Sequence, residues 1–242
     1  PKFLSNKKTV TVFTVLAVLF VLLSLLSVLF GSTSIDLVEL FKGNNDKAYR
    51  IIMHIRLPRT IGAILSGCAL AVSGVLIQAV LNNPIASPNI IGVNSGAGLS
   101  AVLLITAFPA LISYIPLAAL LGALMSCLII YLFSLKSGAD KITIALVGIA
   151  VSSILSAGIN LVKILFPDSV FDADLFLIGG LSGVTLKKLI LPAILIFFAT
   201  LISTILSRAT DIITLGDETA QTLGINTKVF KFSLLVIASV LA

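Results

Sequence analysis

Residues able to carry out chemistry are few in this sequence. The only histidine is His54, so neither a Ser-His-Asp triad nor a multi-histidine metal site can be assembled within the chain. Cys68 and Cys127 lie inside apolar runs without partners at metal-ligand spacing, which predicts small buried side chains. The phosphate-loop pattern G-x-x-x-x-G-K-[ST] is also absent. We therefore expect no catalytic residue, metal or cofactor, and any ATP-driven process would require another chain.

A polar stripe inside one apolar run is the next candidate for function. Gly148, Ser152, Ser156 and Asn160 recur every four residues, which places them on one face of a helix. Polar residues within a membrane-spanning helix usually face the bundle interior or a cavity. The stripe therefore predicts either part of a transport pathway or a helix-packing face.

A second candidate is the break between two apolar runs, from Gln78 to Asn89. Its two prolines and three asparagines do not continue a lipid-facing helix, so the backbone must be buried in protein or line water. Breaks of this kind often mark pathways in transporters. The segment predicts a pathway element that includes Gln78, Asn83 and Ile85, or else an ordinary interfacial loop.

The most informative connector runs from Leu215 to Ile225. Its sequence predicts a short helix from Asp217 to Leu223 that Gly224 ends as a C-terminal cap. The acidic residues at its start suit the positive end of the helix dipole. Helices that lie on lipid usually favour lysine and arginine instead, so this acidic helix indicates docking on a soluble partner.

Small residues recur at helical spacing in two of the apolar runs. Such spacing lets helices approach closely in lipid, and simple structural packing accounts for each motif taken alone. The two sets are Ala63, Gly67, Ala71 and Gly74 in one run, and Gly92 and Gly96 at the start of the next.

These residues must be positioned by helices in a membrane. Of the 242 residues, 58% are hydrophobic and only 11% are charged, too few charges to cover a soluble fold of this length. The net charge of +6 is scattered between apolar runs without an RNA-binding motif, so it indicates a lipid bilayer and no nucleic acid. Six runs are long enough to span: Val10–Phe30, Thr60–Leu81, Ile90–Phe108, Ile115–Phe133, Ile142–Phe166 and Leu189–Leu206.

A seventh apolar run starts near Val229 and reaches only Ala242, which is too short to span. We therefore expect an all-α, polytopic transmembrane bundle forming one domain over residues 1–242, cut short at its C-terminal end. The 16 lysines and arginines divide evenly between the two sides of such a bundle, so charge bias leaves its orientation open.

Taken in order, the motifs resemble the permease subunits of ATP-binding-cassette importers for iron-siderophores, haem and cobalamin. The resemblance covers nearly the whole chain, and the order and spacing of the blocks make it specific. One departure is Phe176, where the family commonly has tryptophan. The matching blocks are Arg56-Leu57-Pro58-Arg59, Gly62-Ala63, Gly67, Ser73-Gly74, Gln78, Asn83-Pro84-Ile85-Ala86-Ser87-Pro88, Gly92-Val93, Gly96-Ala97, Gly148-Ile149-Ala150-Val151, Ile178-Gly179-Gly180-Leu181, Leu215-Gly216-Asp217-Glu218-Thr219-Ala220 and Leu223-Gly224.

The resemblance implies a ten-helix permease in the bacterial cytoplasmic membrane with both termini inside. It implies three partners: an ATP-binding subunit, an extracellular or periplasmic substrate-binding protein, and a second permease subunit in a homodimer or heterodimer. Arg56 and Arg59 would then dock the binding protein outside, and the acidic connector would couple to the ATPase inside. The implied coupling residues are Leu215, Gly216, Asp217, Glu218, Ala220, Leu223 and Gly224. The expected pathway residues are Gln78, Asn83, Ile85, Gly148, Ser152, Ser156 and Asn160.

Two other functional classes remain open at this point. An ion-coupled secondary transporter usually needs an ionisable residue inside the membrane, and Lys163, near the end of a run, is the nearest candidate. The other class is a membrane enzyme or a structural membrane protein, and the enzyme would need paired carboxylates or histidines within the spans. The expected function is transport of an iron chelate, haem or cobalamin rather than catalysis.

Overall fold

The computed structural model describes residues 7–31, 46–89, 91–136 and 141–242. Within these ranges the regular secondary structure is helical, without β-strands. This confirms the all-α fold. The α-helices are α1 (Lys7–Leu29), α2 (Asp46–Ile51), α3 (Leu57–Leu81), α4 (Val93–Ala107), α5 (Ile115–Lys136), α6 (Lys141–Leu165), α7 (Val170–Ile178), α8 (Leu186–Ile205), α9 (Ser207–Thr214), α10 (Asp217–Thr222) and α11 (Thr227–Leu241).

Five stretches of the described residues are long and apolar enough to cross a membrane. The predicted run Ile90–Phe108 differs, because its helix, α4, has only 15 residues. Gly92 precedes α4 with a φ of 70°, and Phe108 leaves helical geometry at its other end. The five spanning stretches are Lys7–Leu29, Lys47–Leu81, Pro109–Ser134, Ile142–Leu165 and Leu186–Ile205.

The region before α3 departs from the predicted runs Val10–Phe30 and Thr60–Leu81, which leave residues 31–59 as a connector. A helix already begins at Asp46 and continues through a π-helical segment, Ile52–Arg56, directly into α3. Pro58 donates no backbone hydrogen bond, and its ring clashes with the carbonyl four residues earlier in a regular α-helix. The wider π-turn accommodates this proline, so the helix continues through a segment whose charged residues are typical of a loop.

The chain divides into two compact units, with boundaries inside α3 and α8. The smaller unit comprises residues 1–65 and 181–191, and the larger comprises residues 66–180 and 192–242. In the smaller unit, α1 has no buried residue along its 23 positions. An apolar helix exposed on all sides is suited to contact with lipid.

The larger unit holds the main hydrophobic core, in which α4, α5 and α6 pack together and α11 packs on α5. Cys127 is buried in this core as predicted, whereas Cys68 is exposed on α3, contrary to the prediction. The apolar character of its run predicted burial, but that face of α3 is open in this chain. Fully buried core residues include Ile77, Val80, Ile91, Val93, Ile130, Ile144, Leu234 and Leu235.

Two glycines let α4 and α5 cross at backbone contact. A Cβ built on Gly96 would lie 2.5 Å from the carbonyl oxygen of Gly122. A Cβ built on Gly122 would lie 2.3 Å from the carbonyl oxygen of Gly96 and 2.1 Å from Ser100 Oγ. The predicted close approach at Gly96 is therefore confirmed, with Gly122 as its partner. Gly67 on α3, by contrast, has no neighbouring atom within 4 Å of such a Cβ.

Candidate functional site

The acidic connector folds as the sequence predicts. Helix α10 begins at Asp217, after Gly216 with a φ of 122°, and ends before Gly224 with a φ of 82°. The Gly224 amide donates to the Gln221 carbonyl at 2.9 Å, and the Ile225 amide donates to the Ala220 carbonyl at 3.0 Å. This bond pair is the Schellman arrangement, which requires a left-handed residue where Gly224 stands.

One side of α10 is buried and the other faces outward. Ala220 is fully buried, whereas Glu218 and Leu223 are exposed. Leu215, just before the helix, exposes 70% of its surface. An exposed leucine pair flanking a carboxylate provides an apolar and acidic surface of the kind that a soluble partner can bind.

Asp217 does more than complement the helix dipole. Its Oδ2 accepts a hydrogen bond from Lys231 Nζ on α11 at 2.5 Å, and Lys231 is only 2% exposed. Gln221 Nε2 donates to Thr227 Oγ1 at 3.2 Å, which gives a second bond between α10 and α11. The sequence analysis assigned no role to Lys231. The signal available was a lysine placed between Phe230 and Phe232 in the apolar part of α11.

Helix α11 is in turn attached to α5. Tyr131 Oη donates to the Lys228 carbonyl at 3.0 Å, and the rings of Tyr131 and Phe232 lie 4.5 Å apart. Further along α11, Ser73 Oγ on α3 donates to the Ala238 carbonyl at 2.8 Å. A displacement of α10 therefore has a continuous set of contacts through which to reach α11 and α5.

The predicted break forms a compact loop after α3. Asn82 adopts a left-handed conformation with a φ of 48°, and the Asn83 amide donates to the Gln78 carbonyl at 3.1 Å, which closes the helix end. Asn83 Oδ1 then accepts from the Ile85 amide at 3.0 Å. This turn leaves Ile85 82% exposed at the tip of the loop, whereas Gln78 is half-buried.

The polar stripe of α6 lies on one face but in two environments. Gly148 is buried. A Cβ built on Gly92 would lie 2.7 Å from the Oγ of Ser152, so this half of the stripe packs against the start of α4. Ser156 and Asn160 are exposed. Packing therefore accounts for the first two residues, and the last two remain available to line a pathway.

The two arginines of the predicted docking site have different surroundings. Arg56 is 7% exposed, and its Nη1 donates to the carbonyls of Val28 at 3.1 Å and Leu29 at 2.6 Å, in the last turn of α1. A guanidinium at this position satisfies carbonyls that the helix leaves unpaired. Arg59 is exposed. The burial of Arg56 indicates a structural role, and Arg59 alone presents an accessible charge.

We expect charge removal at the two arginines to have separable effects. Arg56→Gln should lower the free energy of unfolding by about 1.5–3 kcal/mol, because it removes charged hydrogen bonds to α1. Arg59→Gln should leave stability unchanged, since an exposed charge contributes little. Thermal unfolding of the two purified variants in detergent measures the difference. Equal melting temperatures for both variants would contradict this assignment.

The described residues contain no group of three or more histidine, cysteine, aspartate or glutamate side chains placed to hold a metal ion. The charged residues that approach one another closely do so as pairs. Lys163 on α6 pairs with Asp174 on α7, and Lys231 pairs with Asp217. The geometry therefore combines apolar helices with a connector helix that is bonded to α11 and exposes Glu218 and Leu223.

Comparison with known proteins agrees with this arrangement. Residues 18–242 match the FecCD transport family. The Fe(3+)-citrate import system permease protein of Bacillus subtilis is 38% identical over 195 residues, which covers 79% of this chain and 58% of the relative. The hemin transport system permease protein of Yersinia pestis is 30% identical over 218 residues, covering 87% of this chain and 65% of the relative.

The fold is also found among solved structures. A chain described as an inward-facing conformation of a metal-chelate type ABC transporter aligns over 96% of this chain and 73% of its own length. The TM-score is 0.82 at 24% sequence identity, so this likeness shows the shared fold. The helices, the membrane-spanning stretches and the bacterial relatives together place the protein in the bacterial cytoplasmic membrane as a multi-pass protein. Since the family match covers residues 18–242, the chain belongs to the FecCD transport family.

Proposed function

We propose that this chain is the permease of an ATP-driven importer for an iron chelate, with ATP hydrolysed on a separate subunit. The observation that carries the proposal is α10, a short helix capped at Gly224, bonded to α11 and exposing Glu218 and Leu223. Such a helix is suited to receive motion from a soluble partner. The relatives named for iron-citrate and hemin import support an iron chelate as the cargo.

The partners follow from the same proposal. The ATP-binding subunit would contact the connector helix, and a substrate-binding protein would dock where Arg59 provides an exposed positive charge for acidic side chains. Gly67 and Ala71 of α3 are exposed small residues, which suit close packing against a helix of a second permease subunit. In this proposal the described helices act as one transmembrane permease domain.

Reconstitution in liposomes tests the proposed function. The protein would be combined with its ATPase and binding protein, and ferric citrate, haem and cobalamin would be offered in turn. We expect an iron chelate to accumulate only in liposomes that contain ATP. Accumulation driven by a proton or sodium gradient without ATP would overturn the proposal and favour an ion-coupled transporter.

The proposed pathway includes the exposed half of the α6 stripe. Ser156→Cys and Asn160→Cys, each in a background with Cys68 and Cys127 replaced, should react with water-soluble thiol reagents during turnover. Ile154→Cys provides the matched control, because Ile154 is an exposed apolar residue of the same helix, suited to contact with lipid. Labelling rates at Ser156 and Asn160 no higher than at Ile154 would exclude these positions from the pathway.

A further inference from the structure

Glycines stand at both ends of α10, at Gly216 and Gly224. Both have positive φ angles, and neither meets another atom within 4 Å of an added Cβ, so both junctions lie in open space. Small residues at the ends of an element commonly absorb the rotation when that element moves. A helix held only by two such junctions could rotate under an external push without moving its neighbours.

The bonds from α10 to α11 cross one of these junctions. Asp217 Oδ2 accepts from Lys231 Nζ, and Gln221 Nε2 donates to Thr227 Oγ1, so both ends of α10 are attached to α11 across Gly224. Lys231 is 2% exposed and lies in the second turn of α11. A buried charge without its partner is strongly unfavourable, so Lys231 favours the arrangement in which Asp217 stays in contact.

We propose that Lys231 is a positioning residue that makes α10 and α11 move as one body, so that a push on α10 is delivered to α11 rather than lost in rotation about Gly224. The inference rests on the proposed function, since the push comes from the ATP-binding partner. The onward route is the contact of α11 with α5 through Tyr131, whose hydroxyl donates to the Lys228 carbonyl. Asp217 is therefore an internal attachment, and the exposed Glu218 and Leu223 are the surface that meets the partner.

The free oxygen of Asp217 fits this role. Among the described residues, Asp217 Oδ1 is buried without a hydrogen-bond partner, while Oδ2 is bonded to Lys231. The carboxylate thus depends on Lys231 for its stabilisation in this position. Removing the lysine would break the bond at the start of α10 and leave the one from Gln221 to Thr227 near its end, so α10 would be held to α11 less firmly.

Lys231→Met tests the inference, because it keeps most of the unbranched apolar stem of the side chain and removes its charge. Lys228→Met is the matched control, since the Lys228 side chain is exposed on the same helix and the substitution keeps the backbone carbonyl that Tyr131 contacts. The measured quantity is the amount of chelate imported per ATP hydrolysed by the reconstituted complex. Lys231→Met should lower this ratio about tenfold, a size typical of coupling between sites, while the ATPase still binds. Lys228→Met should leave it unchanged.

Two further variants separate coupling from stability. The double variant Asp217→Asn with Lys231→Met has no unpaired buried charge, so it should fold like the wild type and remain uncoupled. Lys231→Arg keeps the charge and should restore the ratio. A normal ratio in Lys231→Met or in the double variant would overturn the inference. Absence of ATP-driven import in the wild-type complex would instead overturn the proposed function.

Discussion

Gly122→Ala is expected to destabilise the protein by about 3 kcal/mol, the upper end of the cost of overpacking a filled core. The new methyl group would lie 2.3 Å from the Gly96 carbonyl oxygen, a backbone atom that can move only if α4 and α5 separate. Loss of this contact would disturb the core through α4, which also packs on α6. Thermal unfolding in detergent, together with the yield of folded protein from membranes, measures the effect.

Gly74→Ala is the control for this prediction. Gly74 lies within α3, and an added Cβ there meets no atom within 4 Å. Because alanine is favoured over glycine inside a helix by about 0.5–1 kcal/mol, this variant should be as stable as the wild type or slightly more stable. If the two variants melted at the same temperature, the crossing of α4 and α5 at Gly122 would not be the tight contact described here.

Gly224→Val is expected to abolish most ATP-driven import while the protein still enters the membrane. The φ of 82° at Gly224 is strained for a β-branched residue, at a cost of about 1–3 kcal/mol. An added Cβ meets no other atom within 4 Å, so the strain acts on the backbone and would shift the end of α10. The measurement combines pull-down of the ATPase with uptake in membrane vesicles.

Gly224→Asn separates backbone strain from the mere loss of glycine. Asparagine tolerates the left-handed conformation better than other residues with side chains, so it should keep ATPase binding and most of the import. Normal ATPase recruitment and a normal import rate in Gly224→Val would show that this connector does not couple the two processes.

Features encoded over short distances could be predicted from the sequence. The helix from Asp217 and its cap at Gly224 depend on neighbouring residues, so their pattern was sufficient. The same holds for the long apolar runs, because lipid leaves a helix as the simplest way to pair every backbone group. The extent of the helix before α3 was not predicted, because its charged residues resemble those of a connector. Its π-helical segment, Ile52–Arg56, accommodates Pro58, which follows two residues later.

The different roles of Arg56 and Arg59 could not be separated in the sequence, where they form one motif. Only the structure shows Arg56 bonded to the carbonyls of Val28 and Leu29, because that contact joins positions 27 and 28 residues apart. The pairing of Lys231 with Asp217 and the crossing of Gly96 with Gly122 are likewise tertiary contacts.

By itself the sequence determined a helical membrane protein, the resemblance to importer permeases and the capped connector helix. These follow from hydrophobic length, the order of motifs and local backbone preferences. Tertiary structure decided which small residues meet another helix, which arginine is buried and which charge holds α10 to α11. The physical reason is that burial and ion pairing depend on what lies opposite a side chain, and a residue's own neighbours in the chain do not specify that partner.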